Sequence, residues 1–464
     1  MEWARARAAR AVPERVRKAG NKVFPGHGWF LLGEIAMFSF FVLVATGIYL
    51  ALFYEASGER IVYEGSYEPL RGVEVPAAYA SVMDITYDRP FGAIVRQTHH
   101  WAALVFVAAI VLHAMRVFFT GAFRMPRRLN WTVGVTLMGL AIAAGFFGLA
   151  LPHDLLGGTG GRIGHAFAVS IPVIGPGVAD LVFAGEFDNP RMLHRFWVLH
   201  VIVLPIVIAL HLAGHLALVW FQTHTQFRGG RRTEHNVVGS SGWPGYAVKS
   251  TGLVLVVAGT LLVMGATLQI APIWLYGPFD PAAATVPAQP DWYLGWVEGA
   301  LRIFPPLELT LWRWEIPSPF FTGMLLPLLV FAVLYLWPFV KGWVTGDHEH
   351  HHIAERPRDR PLRTALGVAG LTFLTVLLLA GSHDLQALMV RVPVDEVTSL
   401  YRWVLAIAPV VAGWMAWAIC RALVRSEREQ RGQPDRVVIE HDEAHAETVD
   451  GPLEGTRAAA GGPR

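Results

Sequence analysis

The chain has 464 residues, 53% of them hydrophobic and only 16% charged, with 17 tryptophans and a formal net charge of +2. This balance excludes an ordinary soluble globule and describes an all-α, polytopic membrane protein. The single cysteine, Cys420, excludes an internal disulfide, a thiolate-held iron–sulfur cluster and thioether attachment of a prosthetic group.

In chain order, residues 1–29 read as a basic cytoplasmic arm. Arg5, Arg7, Arg10, Arg15, Arg17, Lys18 and Lys22 crowd it, and it lacks the apolar core of a signal peptide. Eight apolar stretches follow, at roughly 30–53, 97–119, 131–151, 196–221, 250–270, 320–341, 364–381 and 399–420. Each is long enough to cross a hydrocarbon layer about 30 Å thick. Arg116, Arg124, Arg127 and Arg128 join the second to the third, and Arg228, Arg231 and Arg232 the fourth to the fifth. Lys341, Arg356, Arg358, Arg360 and Arg363 join the sixth to the seventh, and Arg421, Arg425 and Arg428 follow the eighth. Alternating spans put all of these on one side, which the positive-inside rule makes cytoplasmic together with both termini. The expected setting is a cell membrane, with lipid around the spans and no nucleic acid as partner.

The opposite side carries long connections. Residues 54–96 are rich in Tyr, and 152–195 hold an apolar run broken by Pro172, Gly175, Pro176 and Gly177, read as short interfacial helices. Residues 271–319 are rich in Pro and Trp. Connections of this length are functional or disordered, and their aromatic content favours function. The division expected is 30–245 as a first four-span unit, 246–425 as a second, and 426–464 as a polar, disordered cytoplasmic tail.

Within the spans, histidine spacing carries the chemistry. His99 and His113 lie fourteen apart in the second span, and His200 and His215 fifteen apart in the fourth. Fourteen helical residues rise about 21 Å and return close to the same face. Two such helices side by side, within a four-helix bundle, can grip two flat ligands stacked along the membrane normal. Haem fits, since neutral imidazoles ligate iron and two saturate its axial sites; without thioether attachment it is b-type. His100 lies thirteen from His113, rotated off the face. His211 lies only about 16 Å beyond His200, so His215 is better placed, with Pro205 able to absorb the extra residue by a kink. His194, His224, His153 and His165 have no partner at suitable spacing and read as solvated or capping residues.

Glycines repeat the distance: Gly33 and Gly47 in the first span and Gly134 and Gly148 in the third are again fourteen apart. Any one pair could simply pack helices, but together they read as gaps that admit two porphyrin edges. Arg96 and Arg116 each sit three residues from a ligand, placed to pair a propionate.

The pattern Arg96-x-x-His99-(x13)-His113, the glycine pairs, His200-x4-Pro205 and the loop sequence Pro290-Asp291-Trp292-Tyr293 resemble cytochrome b of the bc-type quinol:cytochrome c reductases, over about 25–420. The loop looks like the family's Pro-Glu-Trp-Tyr motif. Gly121–Arg124, Ile171–Gly175 and Ile273–Gly277 look most like the actinobacterial branch, whose complex is associated with an aa-type terminal oxidase. The resemblance implies that His99 with His200 holds an outer, low-potential haem, and His113 with His215 an inner, high-potential one. It also implies a quinol pocket lined by Gly160, Ile171–Gly175 and Pro290–Tyr293, with Pro290 and Trp292 in contact and menaquinol as substrate. One electron goes to a Rieske iron–sulfur protein and on to a cytochrome c subunit; the other crosses both haems to quinone at an inner site, with net proton translocation. A homodimer is implied as well.

Two readings of Asp291 stand side by side: acceptor of a quinol proton, or N-cap of the following helix. Tyr293 could bind quinol or anchor the interface. Trp220, His224 and Lys249 lie near the depth of an inner quinone site without defining it. The run His348, His350, His351 and His352 reads as a solvated connector, or as a metal site. Other classes remain open to test: a haem-bearing anchor without bifurcation, or a transporter with structural histidines.

Overall fold

The computed structural model describes Glu14 and residues 20–283, 289–312 and 314–432, so most of the expected basic arm and the chain beyond 432 lie outside the described residues. Eight helices are long and apolar enough to cross a membrane: Leu32–Ala51, Gly92–Phe119, Arg128–Ala150, Met192–Gln222, Gly242–Thr267, Phe320–Thr345, Pro361–Ala380 and Val394–Glu429. We call these spans one to eight. All eight expected stretches are present. Several begin earlier than hydropathy suggests, because a helix that satisfies its own backbone can run on through polar residues at the membrane edge. Span two starts at Gly92, after Pro90, and carries Arg96 in its opening turns. Helix continues from span eight to Gly432, past the expected start of the tail at 426.

Spans four and six each carry a wide π turn just ahead of a proline: Val198–Val203 before Pro205, and Phe320–Leu325 before Pro327. Proline has no N–H to give and its ring crowds the carbonyl four residues back, so widening the preceding turn relieves both problems. A π turn also adds a residue to the helix. His200 sits inside this turn, and the added residue brings the fifteen-residue spacing of span four into step with the fourteen of span two.

Spans one to four enclose a core in which Phe40, Phe106, Ala109, Ala141 and Ile208 pack together at mid-depth. Span five joins them, with Val257 and Leu261 against Phe38 and Ala102; packing is thus continuous across residue 245. Spans seven and eight pair, and the helix Trp292–Ile303 lies on span seven through Ala300, Ile303, Leu377 and Ala380. That approach needs glycine: a Cβ at Gly299 would strike the Leu377 carbonyl, and one at Gly381 the Gly295 carbonyl. Outward faces are apolar and exposed, as at Leu210, Leu255, Val333 and Trp403, which is the surface lipid requires.

One end of the bundle, the loop end, carries the short helices Ala77–Tyr87, Leu155–Val169, Gly175–Phe183, Trp292–Ile303 and His383–Val390 and two small antiparallel hairpins. The expected interfacial helices of 152–195 are among them. The other, basic end is tied together by arginines. Glu355 receives Arg360 at 2.7 Å, Arg124 at 3.3 Å and also Arg363. Burial raises the Glu355 carboxyl, but these three cations more than offset it and hold it low.

Candidate functional site

Two cavities lie one above the other between spans one to four, about 590 Å³ at the loop end and about 530 Å³ at the basic end. Phe40, Phe106 and Ile208 border both and form the wall between them. Each cavity has one histidine pair. His99 faces His200 in the loop-end cavity, ring centres 6.1 Å apart with planes crossing at 70°. His113 faces His215 in the other, at 6.4 Å and 76°. An ion between two imidazoles needs two metal–nitrogen bonds of about 2 Å, plus about 1 Å from each nitrogen to its ring centre, or about 6 Å in all. Both pairs meet that requirement. His211 does not join them: its Nδ1 donates to the Val207 carbonyl at 2.9 Å, one turn back on its own helix.

The glycines lie where the spacing placed them, with a change in what they admit. A Cβ would stand 3.3 Å from the His113 ring at Gly33, 3.3 Å from His99 at Gly47, 3.6 Å from His215 at Gly134 and only 2.5 Å from His200 at Gly148. Each gap therefore seats an imidazole edge.

Ligand orientation differs between the pairs. His99 Nδ1 lies 2.9 Å from Thr46 Oγ1, whose own hydrogen goes to the Val42 carbonyl at 2.7 Å, so the imidazole donates. His200 Nδ1 donates to the Ala144 carbonyl at 2.8 Å. With Nδ1 protonated, Nε2 keeps the lone pair a metal needs. His113 Nδ1 is buried with no hydrogen-bond partner among the described residues, and His215 has the Asn130 backbone beside it. Arg96 and Arg116 border the loop-end and basic-end cavities respectively. Arg96 gives one N–H to the Ala271 carbonyl at 3.0 Å, and its Nε and Nη2 are buried without partners. Arg116 reaches Thr225 at 3.2 Å and leaves Nε unpartnered. Orphaned guanidinium nitrogens beside a ligand-sized cavity suit an anionic group such as a propionate. The donor set therefore fits two bis-imidazole haems.

Next to the loop-end pair stands a second constellation. Asp291 is the N-cap residue of Trp292–Ile303, yet its side chain makes no capping hydrogen bond. Its Oδ1 lies 2.7 Å from His100 Nε2, and its Oδ2 accepts from the Tyr293 hydroxyl at 2.8 Å. The capping reading is thereby set aside, and all three side chains border the cavity. Tyr293 is buried, its hydroxyl so close to Gly145 that any side chain there would displace it; burial and the neighbouring Asp291 raise its phenol well above the usual value. Asp154, buried near Arg96, caps Leu155–Val169 through Gly157 N at 2.7 Å. Burial pushes its carboxyl up to about 6 against the pull of that amide and of Arg96.

Other expected residues fall elsewhere. Pro290, Trp292 and Gly160 do not border the cavity; Trp292 is 37% exposed, and a Cβ at Gly160 would meet nothing within 4 Å. His153 is not solvated but 3% exposed, against Asp188 at 3.4 Å. His100, passed over as a ligand, was the residue missed. The rotation that takes it off the haem face turns it toward Asp291, a contact across 191 residues that no local spacing announces.

At the basic end, Glu34 accepts from Tyr246 at 2.6 Å and Ser250 at 2.8 Å, tying span one to span five beside Lys249 and His224 in the lower cavity. A carboxylate inside a span is a functional signal by default, and it was overlooked. His224 is held neutral, its pKa lowered to about 4 by burial and then by Arg116, Arg127 and Lys22. Trp220 does not border the cavity; it takes Lys22 over its ring and on its carbonyl. His351 pairs with Asp347 at 2.8 Å and His352 with Arg127 at 2.9 Å, so these two are structural ties rather than solvated connectors. No group of three metal-ligating side chains occurs among the described residues.

Residues 104–278 match the family model described as Cytochrome b(N-terminal)/b6/petB. Over 414 residues the chain is 43% identical to the cytochrome bc1 complex cytochrome b subunit of Corynebacterium efficiens, covering 89% of this chain and 76% of that protein. Subunits of the same name from Mycobacterium tuberculosis (44% identical; 92% of this chain, 76% of theirs) and Streptomyces coelicolor (42%; 88% and 75%) are similar throughout. Among solved structures, a chain of a hyperthermophilic respiratory Complex III shares the fold, with a TM-score of 0.64 at 19% identity over 90% of this chain and 98% of that one. With relatives this similar over about nine-tenths of its length, the chain belongs to the cytochrome b subunits of the actinobacterial cytochrome bc1 complex.

Proposed function

We propose that this chain is the dihaem, quinol-oxidising subunit of a proton-translocating quinol:cytochrome c reductase. One observation carries the reading: two facing imidazole pairs, each at metal-bridging separation, are stacked on either side of an apolar wall. Two non-covalent b-haems, one per pair, supply one-electron transfer along the stack. His99 and His200 would hold the haem at the loop end, and His113 and His215 the one at the basic end. Arg96 and Arg116 would offset the charge of the haem carboxylates.

At the loop end Asp291 accepts a proton from a quinol hydroxyl, menaquinol in this branch, while Tyr293 orients the carboxylate. Oxidation is bifurcated, one electron leaving to a Rieske iron–sulfur protein and on to a cytochrome c subunit, the other crossing the chain. At the basic end Glu34, Lys249 and His224 bracket the quinone that is reduced there. The excess of Lys and Arg assigns that end, with both termini, to the cytoplasm. Protons are released outside and taken up inside. A second copy of the chain and an aa-type oxidase complete the assembly.

A reduced-minus-oxidised spectrum with haem quantification tests the reading, the expected result being two b-haems per polypeptide. One haem, or none, would end it. Asp291→Asn is expected to slow quinol oxidation by about 10²-fold, the usual worth of a positioned base, with both haems retained.

A further inference from the structure

Asp is one methylene shorter than the glutamate usual in this loop motif, and in this chain it is held at both oxygens. His100 reaches Oδ1 at 2.7 Å from span two, and Tyr293 reaches Oδ2 at 2.8 Å from the first turn of its own helix. An ionised carboxylate can only accept, so His100 Nε2–H donates. Neither contact is replaced by a helix cap, since the Asp291 side chain makes none. Tyr293 is pinned in turn, its ring in the core of spans one to four and its hydroxyl against Gly145.

We propose that His100 is a positioning residue for quinol oxidation: it draws the short Asp291 side chain toward span two and fixes the carboxylate against the cavity wall, where a quinol hydroxyl meets it. His100 follows the ligand His99 directly, so the proton acceptor is docked one residue from the group that anchors the loop-end haem. Fixed geometry replaces the reach of the longer side chain. The step served is one proton passing from a quinol oxygen to a carboxylate oxygen, the O–H bond breaking on the first and forming on the second. The electrons leave by the routes already given. This inference rests on the proposed loop-end quinol site and on Asp291 as its proton acceptor.

The test uses the complete complex in native membranes, with quinol:cytochrome c turnover and both haem signals recorded for five variants. His100→Leu removes the donor and is expected to lower kcat by roughly tenfold or more, the scale of a hydrogen bond to a charged group. His100→Gln keeps an N–H at similar reach and is expected to stay within about threefold of the wild type. Asp291→Glu in the His100→Leu background is expected to recover most of the loss, because the longer side chain does not depend on the clamp. A merely structural histidine would show no such rescue.

Equal losses in His100→Leu and His100→Gln, or no recovery with Asp291→Glu, overturn the clamp. If His100→Leu loses haem, the Gln variant decides, with Asp291→Glu alone as the reference for the longer acid: turnover within about threefold of the wild type in His100→Gln supports the clamp, and impairment there with intact haem refutes it. Asp291→Asn separates this failure from that of the broader reading. Wild-type turnover in Asp291→Asn removes the loop-end site itself, whereas slow turnover there beside normal His100→Leu removes only the clamp.

Discussion

The two cavities share one grip and differ in everything around it. Each has an imidazole pair from spans two and four, a glycine pair from spans one and three, and an arginine with unpartnered nitrogens. At the loop end the imidazoles are oriented by Thr46 and the Ala144 carbonyl, and the neighbours are acids: Asp291 and the buried Asp154. At the basic end His113 Nδ1 has no partner among the described residues, the Asn130 backbone lies beside His215, and the neighbours are Lys249, Arg127 and His224, with Glu34 as the sole carboxylate on that lining. Ligand hydrogen bonding and local charge tune a metal's electronics. The difference is therefore in the surroundings, and two chemistries can run on one repeated clamp.

The sharpest way to break the comparison is to remove one ligand at a time. His200→Leu should abolish the loop-end haem alone and His215→Leu the basic-end haem alone, read as loss of half the b-haem absorbance, while His211→Leu keeps both. Loss of both signals from either single change would mean that the cavities are not independent.

The glycines give a graded version. A methyl group at Gly148 would stand 2.5 Å from the His200 ring, and one at Gly134 3.6 Å from His215. Gly148→Ala should displace its imidazole and empty the loop-end site, whereas Gly134→Ala should leave haem content unchanged. Equal tolerance at both would show that the clamp yields.

The smallest expected effect concerns Asp154. Its folded pKa of about 6 lies above the ordinary carboxylate value, so the neutral acid favours folding. That contribution is complete below the unfolded value near 4 and is lost as pH rises through about 6. Asn retains the cap on Gly157 without ionising. Asp154→Asn should thus match the wild type near pH 4 and exceed it above pH 6, by at most about 3 kcal/mol. The temperature at which the haem spectrum collapses, followed across pH, measures this; a constant difference at all pH values would contradict it.

How much of this was legible follows from what a helix fixes. Rise and rotation alone place His99, His113, Gly33 and Gly47, so the stacked cavities could be read from spacing. Pro205 signalled that the fifteen-residue spacing of span four would be absorbed, although the device is a π turn containing His200 rather than a simple kink. Contacts between distant segments were not legible. Nothing in the order of residues says that His100 meets Asp291, or that His352 meets Arg127, because rotation about one helix axis does not tell where a loop from elsewhere will settle. Likewise hydropathy marks where a span is apolar, not where its helix stops, and span eight carries helix on to Gly432.

Phe40, Phe106 and Ile208 separate the two cavities with side chains that have no oxygen or nitrogen. An electron can tunnel through a few ångströms of hydrocarbon. A proton needs an unbroken file of donors and acceptors, and apolar side chains supply none. Under the proposed function, these three ordinary residues would sort the two kinds of charge by the medium each requires, passing electrons between the cavities while blocking protons.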